Sequence, residues 1–300
     1  MTVATLPHRV TLPRLLATDA VDGPVPDLDD LPGLLGEAGL DGLALAVARP
    51  ARGVVVVAGD GDPDCRNSET LLRRSPRLVD EGLHHVTTAL HRTAAAPVLA
   101  LPAEALAQIA LLARYGAAWF RAVGTPDAPG SVLCTVHAGE TLPQVVETAV
   151  GTPVRTLLGG AARSAQAVLV GGSRGTWVAT ERALAARWET GSLGVPVGEP
   201  RVLTAFPEGL CGVDETLRLL RLQERSCRVD LARIVSALSD LTRPAAFDAV
   251  VRWSTQSDAR GHCRHAADAA RLLRSALAVF PQEFEAHAAG RCGASVLPST

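Results

Sequence analysis

The chain of 300 residues predicts an α+β, multi-domain fold: a shortened α/β layer over about 1–123, a small α+β module over about 124–198, and a helical bundle over about 199–290. Three observations carry this. Val54-Val55-Val56-Val57, bounded by Gly53 and Gly59, reads as a buried strand leading into an acidic glycine loop and helices. Short strand and helix candidates then mix between 124 and 198, and from Asp214 onward nearly everything has helical period. The length agrees, because single cores stop growing near ~250–300 residues.

Element by element, Leu31, Leu34, Leu35, Leu40, Leu43 and Leu45, with Gly and Pro interruptions, predict a short helix and a turn over 27–48. After the strand 54–57 and the loop 58–63, the stretch 68–92 reads as helices, with apolar spacing at Leu71, Leu72, Leu78, Val79, Leu83, Val86 and Leu90. An amphipathic helix follows over 104–123, opened by Pro102 and closed by Gly124-Thr125-Pro126. Beyond it, 132–136 and 167–170 are strand candidates, 141–149 and 154–158 short helical pieces, and the run after Gly175 is compatible with helix. Breaks in the bundle are expected at Thr242-Arg243-Pro244 and Ser257-Asp258.

Composition narrows the function. Hydrophobic residues make up 47% but aromatics only 3%, so the cores are expected to be filled by Ala, Val and Leu. All 29 basic residues are arginine, which excludes Schiff-base lysine chemistry and a phosphate-loop lysine. A net charge of -2 gives no reason to expect nucleic acid. No apolar run reaches the ~18–20 residues of a spanning helix, and the N-terminus lacks a charged-then-apolar leader pattern. The cysteines at 65, 134, 211, 227, 263 and 292 have no disulfide-framework spacing, so reduced cytoplasmic thiols are expected.

Several stretches, in order along most of the chain, carry a resemblance. They are Gly-Asp-Gly-Asp-Pro at 59–63, Leu-Leu-Arg-Arg-Ser-Pro-Arg-Leu-Val-Asp-Glu-Gly at 71–82, and Ala-Leu-Leu-Ala-Arg-Tyr-Gly-Ala-Ala-Trp-Phe-Arg at 110–121. Gly-Thr-Pro-Asp-Ala-Pro-Gly at 124–130, Gly-Thr-Pro-Val-Arg-Thr-Leu-Leu at 151–158 and Val-Leu-Val-Gly-Gly-Ser-Arg-Gly-Thr-Trp at 168–177 follow, and the series ends in 228–287 with Gly-His-Cys-Arg-His at 261–265. Together they resemble the flavin-bearing, NADH-oxidising, iron-sulfur subunit of complex I-type NADH-quinone oxidoreductases. The resemblance implies a flavoprotein-like α/β domain, a soluble-ligand-binding β-grasp (SLBB, ubiquitin-like) module and a cluster-bearing bundle. It also implies hydride transfer from NADH to FMN, electron exit through a [4Fe-4S] cluster, and a redox partner protein or complex subunit. By that resemblance Asp60 and Asp62 fall on the FMN loop, and Cys227 and Cys263 on cluster ligands.

Departures from the family pattern are local and chemical. Where the family carries a glycine-rich cradle, this chain reads Ala-Gly-Leu-Asp-Gly-Leu-Ala-Leu-Ala at 38–46, and the family's basic residue after the acidic loop falls on Asn67. Only 92–102 joins helices between which the family inserts a nucleotide-binding segment. One cysteine remains of the expected CxxCxxC run, whichever way Cys227 is aligned, and Cys211 or Cys292 would have to substitute without family spacing. Degraded cofactor sites are therefore expected, with none bound. The alternative reading is a non-catalytic docking or ligand-binding homologue, cytoplasmic and at most peripheral to a membrane through its partners.

Three other constellations compete. Gly-Gly-Ser-Arg-Gly at 171–175 fits the G-x-S-x-G elbow of serine hydrolases, with His262, His265 or His287 and Asp214 following Ser173 in order; the alternative is a glycine-rich turn. His262, Cys263 and His265 with Cys227 offer zinc ligands, although C-x-H is not a favoured knuckle. Asp60, Asp62 and Asp64 mimic the start of a calcium loop, but Leu71 stands where a bidentate Glu is required. Trp119, Trp177, Trp188 and Trp253 read as core anchors.

Overall fold

The computed structural model describes residues 12–17, 23–139, 142–198, 200–224, 231–256 and 264–292, and two sheets carry the β structure among them. The first layer runs α1 (Leu31–Glu37), α2 (Asp41–Ala48), β1 (Val54–Val57), α3 (Asn67–Arg74), α4 (Pro76–Ala89), β2 (Leu99–Pro102) and α5 (Ala103–Phe120). Strands β1 and β2 pair in parallel, Val54 opposite Leu99 and Val57 opposite Pro102. Parallel pairing needs a crossover, which α3 and α4 supply. Leu78, Val79 and Val86 of α4 share a core with Leu106, Ile109 and Ala110 of α5. The two helices touch at Gly82, where a Cβ would lie 1.8 Å from the carbonyl oxygen of Leu106. Strand β2 lies in the stretch read from sequence as a mere joining segment. Pro97 precedes it and Pro102 ends it, and pairing with β1 makes it a strand.

An N-terminal clasp crosses from this layer to the next. Leu15, Leu16 and Ala17 are buried, and one carboxylate oxygen of Glu147 accepts the backbone N–H of Arg14 at 2.7 Å and of Leu16 at 3.1 Å. The Arg14 guanidinium lies over the Trp119 ring, 3.9 Å from its centroid.

The second layer follows as β3 (Ser131–Ala138), β4 (Gln144–Ala149), α6 (Val154–Leu158), β5 (Ala165–Val170), β6 (Thr176–Ala179), α7 (Thr180–Ala185), α8 (Thr190–Leu193) and β7 (Val202–Pro207). Its five strands are ordered β4-β3-β7-β5-β6, with β3 and β7 parallel and the other pairs antiparallel. Alternate residues serve opposite faces. Ala167, Leu169, Trp177 and Phe206 join the core of the bundle, while Val168, Val170, Val178, Leu203 and Ala205 share the other core with Val154 and Leu158 of α6.

Three expectations are corrected here. Residues 144–149 form strand β4, not a helical piece: Val145 packs toward the first core and Val146 toward the sheet's own, an alternation only a strand supplies. The run after Gly175 is strand β6, hydrogen-bonded to β5. Val202–Pro207, placed with the bundle on sequence, is the central strand of the sheet. Its backbone is paired on both sides, so non-local partners decide its conformation.

The bundle comprises α9 (Gly212–Glu224), α10 (Leu231–Ser239), α11 (Ala246–Gln256), α12 (Arg264–Val279) and α13 (Pro281–Ala288), in agreement with the helical period. Trp177 anchors it to the sheet, packing edge-on against Phe206 and Phe280 with centroids 5.2 and 5.0 Å away, while its Nε1 donates to Thr216. Trp119 and Trp188 are likewise buried. Helices α9 and α12 run antiparallel. Gly212, at the start of α9, lies against Phe280 just past the end of α12, whereas Gln223 and Arg271 both reach the 173–176 turn. No helix of the described residues is long and apolar enough to cross a membrane.

Candidate functional site

The acidic loop between β1 and α3 faces inward. Asp60 accepts from the Ser68 N–H at 3.1 Å and from its hydroxyl at 2.6 Å, so its carboxylate closes the start of α3. Asp62, only 7% exposed, accepts from the Asp64 N–H through one oxygen and from the N–H and hydroxyl of Ser173 through the other, at 2.8 and 2.6 Å. The turn at 171–175 is built for this contact. Gly172 has φ +63, and a Cβ there would lie 2.8 Å from the Asp62 carboxylate.

Neighbouring bonds make the loop a three-way joint. Asn67 donates to the carbonyls of Leu133 and Arg201, and the Thr135 hydroxyl donates to Asn67 Oδ1 at 2.8 Å. His137 Nε2 meets the Asp64 carbonyl oxygen at 2.8 Å. From the bundle, Gln223 donates to the Ser173 carbonyl at 2.6 Å and Arg218 pairs with Asp64 at 3.3 Å. Asn67 is thus buried as a connector between layers.

These placements bear on each expected site. The Ser173 hydroxyl is held by a carboxylate rather than an imidazole, and His287 and Asp214 stand instead with Cys211, so the hydrolase constellation is not assembled from them. His262 lies outside the described residues, as do Cys227 and Cys263. The segment aligned with the glycine cradle forms the junction of α1 and α2. There Gly39, at φ +81, caps α1, with its own N–H bonded to Gly36 O and that of Leu40 bonded to Leu35 O. Those amides are consumed by the cap. The Asp60 and Asp62 carboxylates are likewise engaged, by Ser68 and by Ser173.

Cys65 and Cys134 are buried at the joint, where burial pushes the Cys65 thiol up to about 12 and the Cys134 thiol up as well. Such thiols are inert core residues. The bundle holds a different constellation at the pole where α9 begins. Ligand atoms of Cys211, Asp214, His287 and Cys292 all lie within 4.8 Å of one another. Cys211 Sγ is 3.1 Å from His287 Nε2 and accepts the Asp214 N–H at 3.4 Å. Burial, the largest effect, pushes the Cys211 thiol up to about 12. Gln166, Leu210, Glu283 and Ala286 line an adjoining cleft of about 330 Å³. Cys211 and His287 are 76 positions apart, so no local motif marks the group in the sequence.

The opposite pole is where α9 ends at Glu224 and α12 begins at Arg264.

No protein-family model matches the chain, and no curated protein matches it. Among solved structures, it is similar to NAD+-reducing [NiFe]-hydrogenase in the H2-reduced state, with a TM-score of 0.74 and 17% identity over 92% of this chain and 63% of that one. The same enzyme in the air-oxidised state gives a TM-score of 0.68 and 18% identity, over 96% of this chain and 65% of that one. The likeness is one of fold, a mixed arrangement of helices and two sheets in more than one part. The chain spans less than two thirds of the length of the chains it matches.

Proposed function

We propose that this chain is an NADH dehydrogenase-like subunit of a redox assembly that docks and positions partner subunits, and that hydride transfer from NADH to FMN is not its task. The observation that carries this reading is the Asp62–Ser173 contact, through which the loop expected to face flavin instead joins the layers. The fold likeness to a hydrogenase chain and the sequence resemblance, in the same order along the chain, support the redox setting. The domain division supported best is a shortened flavoprotein-like layer to about 123, an SLBB-type β-grasp module and an iron-sulfur-type bundle. The sheet favours the middle assignment: numbered within the module, its strands run 2-1-5-3-4, with the central pair parallel. That is the order of a β-grasp sheet, and it extends the module through β7.

Cofactor content tests the proposal. The purified chain is incubated anaerobically with FMN, and separately with iron and sulfide, then desalted. Expected are no retained flavin absorbance in the blue and no NADH-dependent reduction of ferricyanide. Retention of FMN at about one per chain, or a reconstituted [4Fe-4S] cluster lost in Cys227→Ser and Cys263→Ser, sinks the scaffold reading and restores the electron-transfer enzyme.

A further inference from the structure

We propose that Cys211, Asp214, His287 and Cys292 form a structural zinc site that fastens the end of α13 to the start of α9. The donor set is the first argument. Two thiolates and an imidazole select zinc over calcium or magnesium, which require oxygen ligands. A tetrahedral zinc with bonds near 2.0–2.3 Å sets its ligand atoms roughly 3.3–3.8 Å apart. The four atoms here already lie within 4.8 Å of one another, with Cys211 Sγ and His287 Nε2 at 3.1 Å. Small side-chain rotations suffice to close the set.

Spacing is the second argument. Cys211-x2-Asp214 and His287-x4-Cys292 are two local pairs of the lengths that zinc modules use, with one cysteine replaced by a carboxylate and one histidine by a thiol. Those replacements hide the pattern in the sequence. The structure brings the pairs together by running α13 back to the start of α9, where Glu283 accepts the Gly212 N–H and so fixes the backbone beside Cys211. The Asp214 N–H pointing at Cys211 Sγ is the kind of outer contact that orients a sulfur ligand. Cys292 is exposed and the neighbouring cleft is open, so an ion has a route in.

Zinc binding replaces the protons of the two thiols, and no oxidant or reductant takes part. None of the site's four ligands is Cys227 or Cys263, so it stands or falls independently of any iron-sulfur cluster.

The test uses the full chain, stripped with chelator under reducing conditions and reloaded with Zn²⁺ or Co²⁺. Expected are about one zinc per chain by mass spectrometry, thiolate-to-cobalt charge-transfer bands, and a rise in Tm on loading. Cys211→Ser and Cys292→Ser each abolish the bands, while the Cys227→Ser/Cys263→Ser double variant keeps them. Because Cys292 is exposed, Cys292→Ser retains the fold and decides the matter even if Cys211→Ser does not fold. The proposal is overturned if the reloaded parent takes up no zinc, if the bands persist in Cys292→Ser, or if Cys211 and Cys292 are joined by a disulfide in protein purified without oxidant.

Discussion

Asp62 and Ser173, 111 positions apart, share two hydrogen bonds to one carboxylate oxygen, and Gln223 of a third element seizes the same serine by its carbonyl. The contact sits where loop, sheet and bundle converge. Asp62→Ala removes the acceptor and leaves the Ser173 N–H buried without a partner, which costs about 1–3 kcal/mol. Urea denaturation measures it. Ser173→Ala, which keeps the backbone bond, is expected to cost less; equal stability of Asp62→Ala and parent would show that the joint contributes nothing.

Glu81 on α4 and Arg114 on α5 form a side-on pair, with Nε to Oε1 at 2.7 Å and Nη2 to Oε2 at 2.6 Å, and their side chains are 5% and 10% exposed. Removing the cation strands a buried carboxylate. Arg114→Ala is expected to lose about 3–5 kcal/mol of stability, and Glu81→Gln combined with Arg114→Met to recover much of that loss. A double-mutant cycle reads the difference; no recovery in the double variant contradicts the account.

His85, buried beside that pair, sets a pH dependence. Its Nε2 has no hydrogen-bond partner and lies 3.9 Å from Glu81. Burial, outweighing the pull of Glu81, holds its pKa below the usual histidine value. The unfolded chain therefore takes up this proton first as pH falls. Stability is full above the ordinary value of about 6.5 and declines as pH drops below it toward the lower folded value. His85→Leu is expected to flatten that part of the profile in thermal melts taken from neutral to mildly acidic buffer. An unchanged profile rules His85 out as the source.

Gly82→Ala places a methyl group against the Leu106 carbonyl, a backbone atom that cannot rotate away. Overpacking costs about 1–3 kcal/mol where side chains can yield, so the loss here is expected at or above the top of that range. Far-ultraviolet circular dichroism against temperature detects it. A Tm equal to the parent's would mean that α4 and α5 can separate freely.

Phe280 lies against Trp177, Phe206 and Gly212, beside Cys211. Phe280→Ala is expected to cost about 3–5 kcal/mol by opening a cavity. It also loosens the start of α9, so zinc affinity should fall together with stability. Parent-like affinity in the cavity variant would separate the two.

The run Val54–Val57 and the long helical periods were legible because local pattern and final environment agree there. Strands β4 and β7 were not. Gln-Val-Val-Glu-Thr-Ala and Val-Leu-Thr-Ala-Phe-Pro carry apolar residues that suit either period, and partners distant in sequence decided between them. The site was read in reverse proportion to its spatial clustering. Asp60 and Asp62 were visible as a motif, but their orientation depends on Ser68 and Ser173. Cys211 and His287 formed no motif, yet the fold brings them together.

The clasp at Glu147 has a consequence for biosynthesis. Arg14 and Leu16 bind a carboxylate more than 130 positions downstream, so their backbone N–H groups lack this acceptor until β4 has emerged. Loop closure of that length belongs to the slow class of contacts. Leu15 and Leu16 pack into the core of the first layer, and the clasp ties that layer to β4 once the sheet has formed.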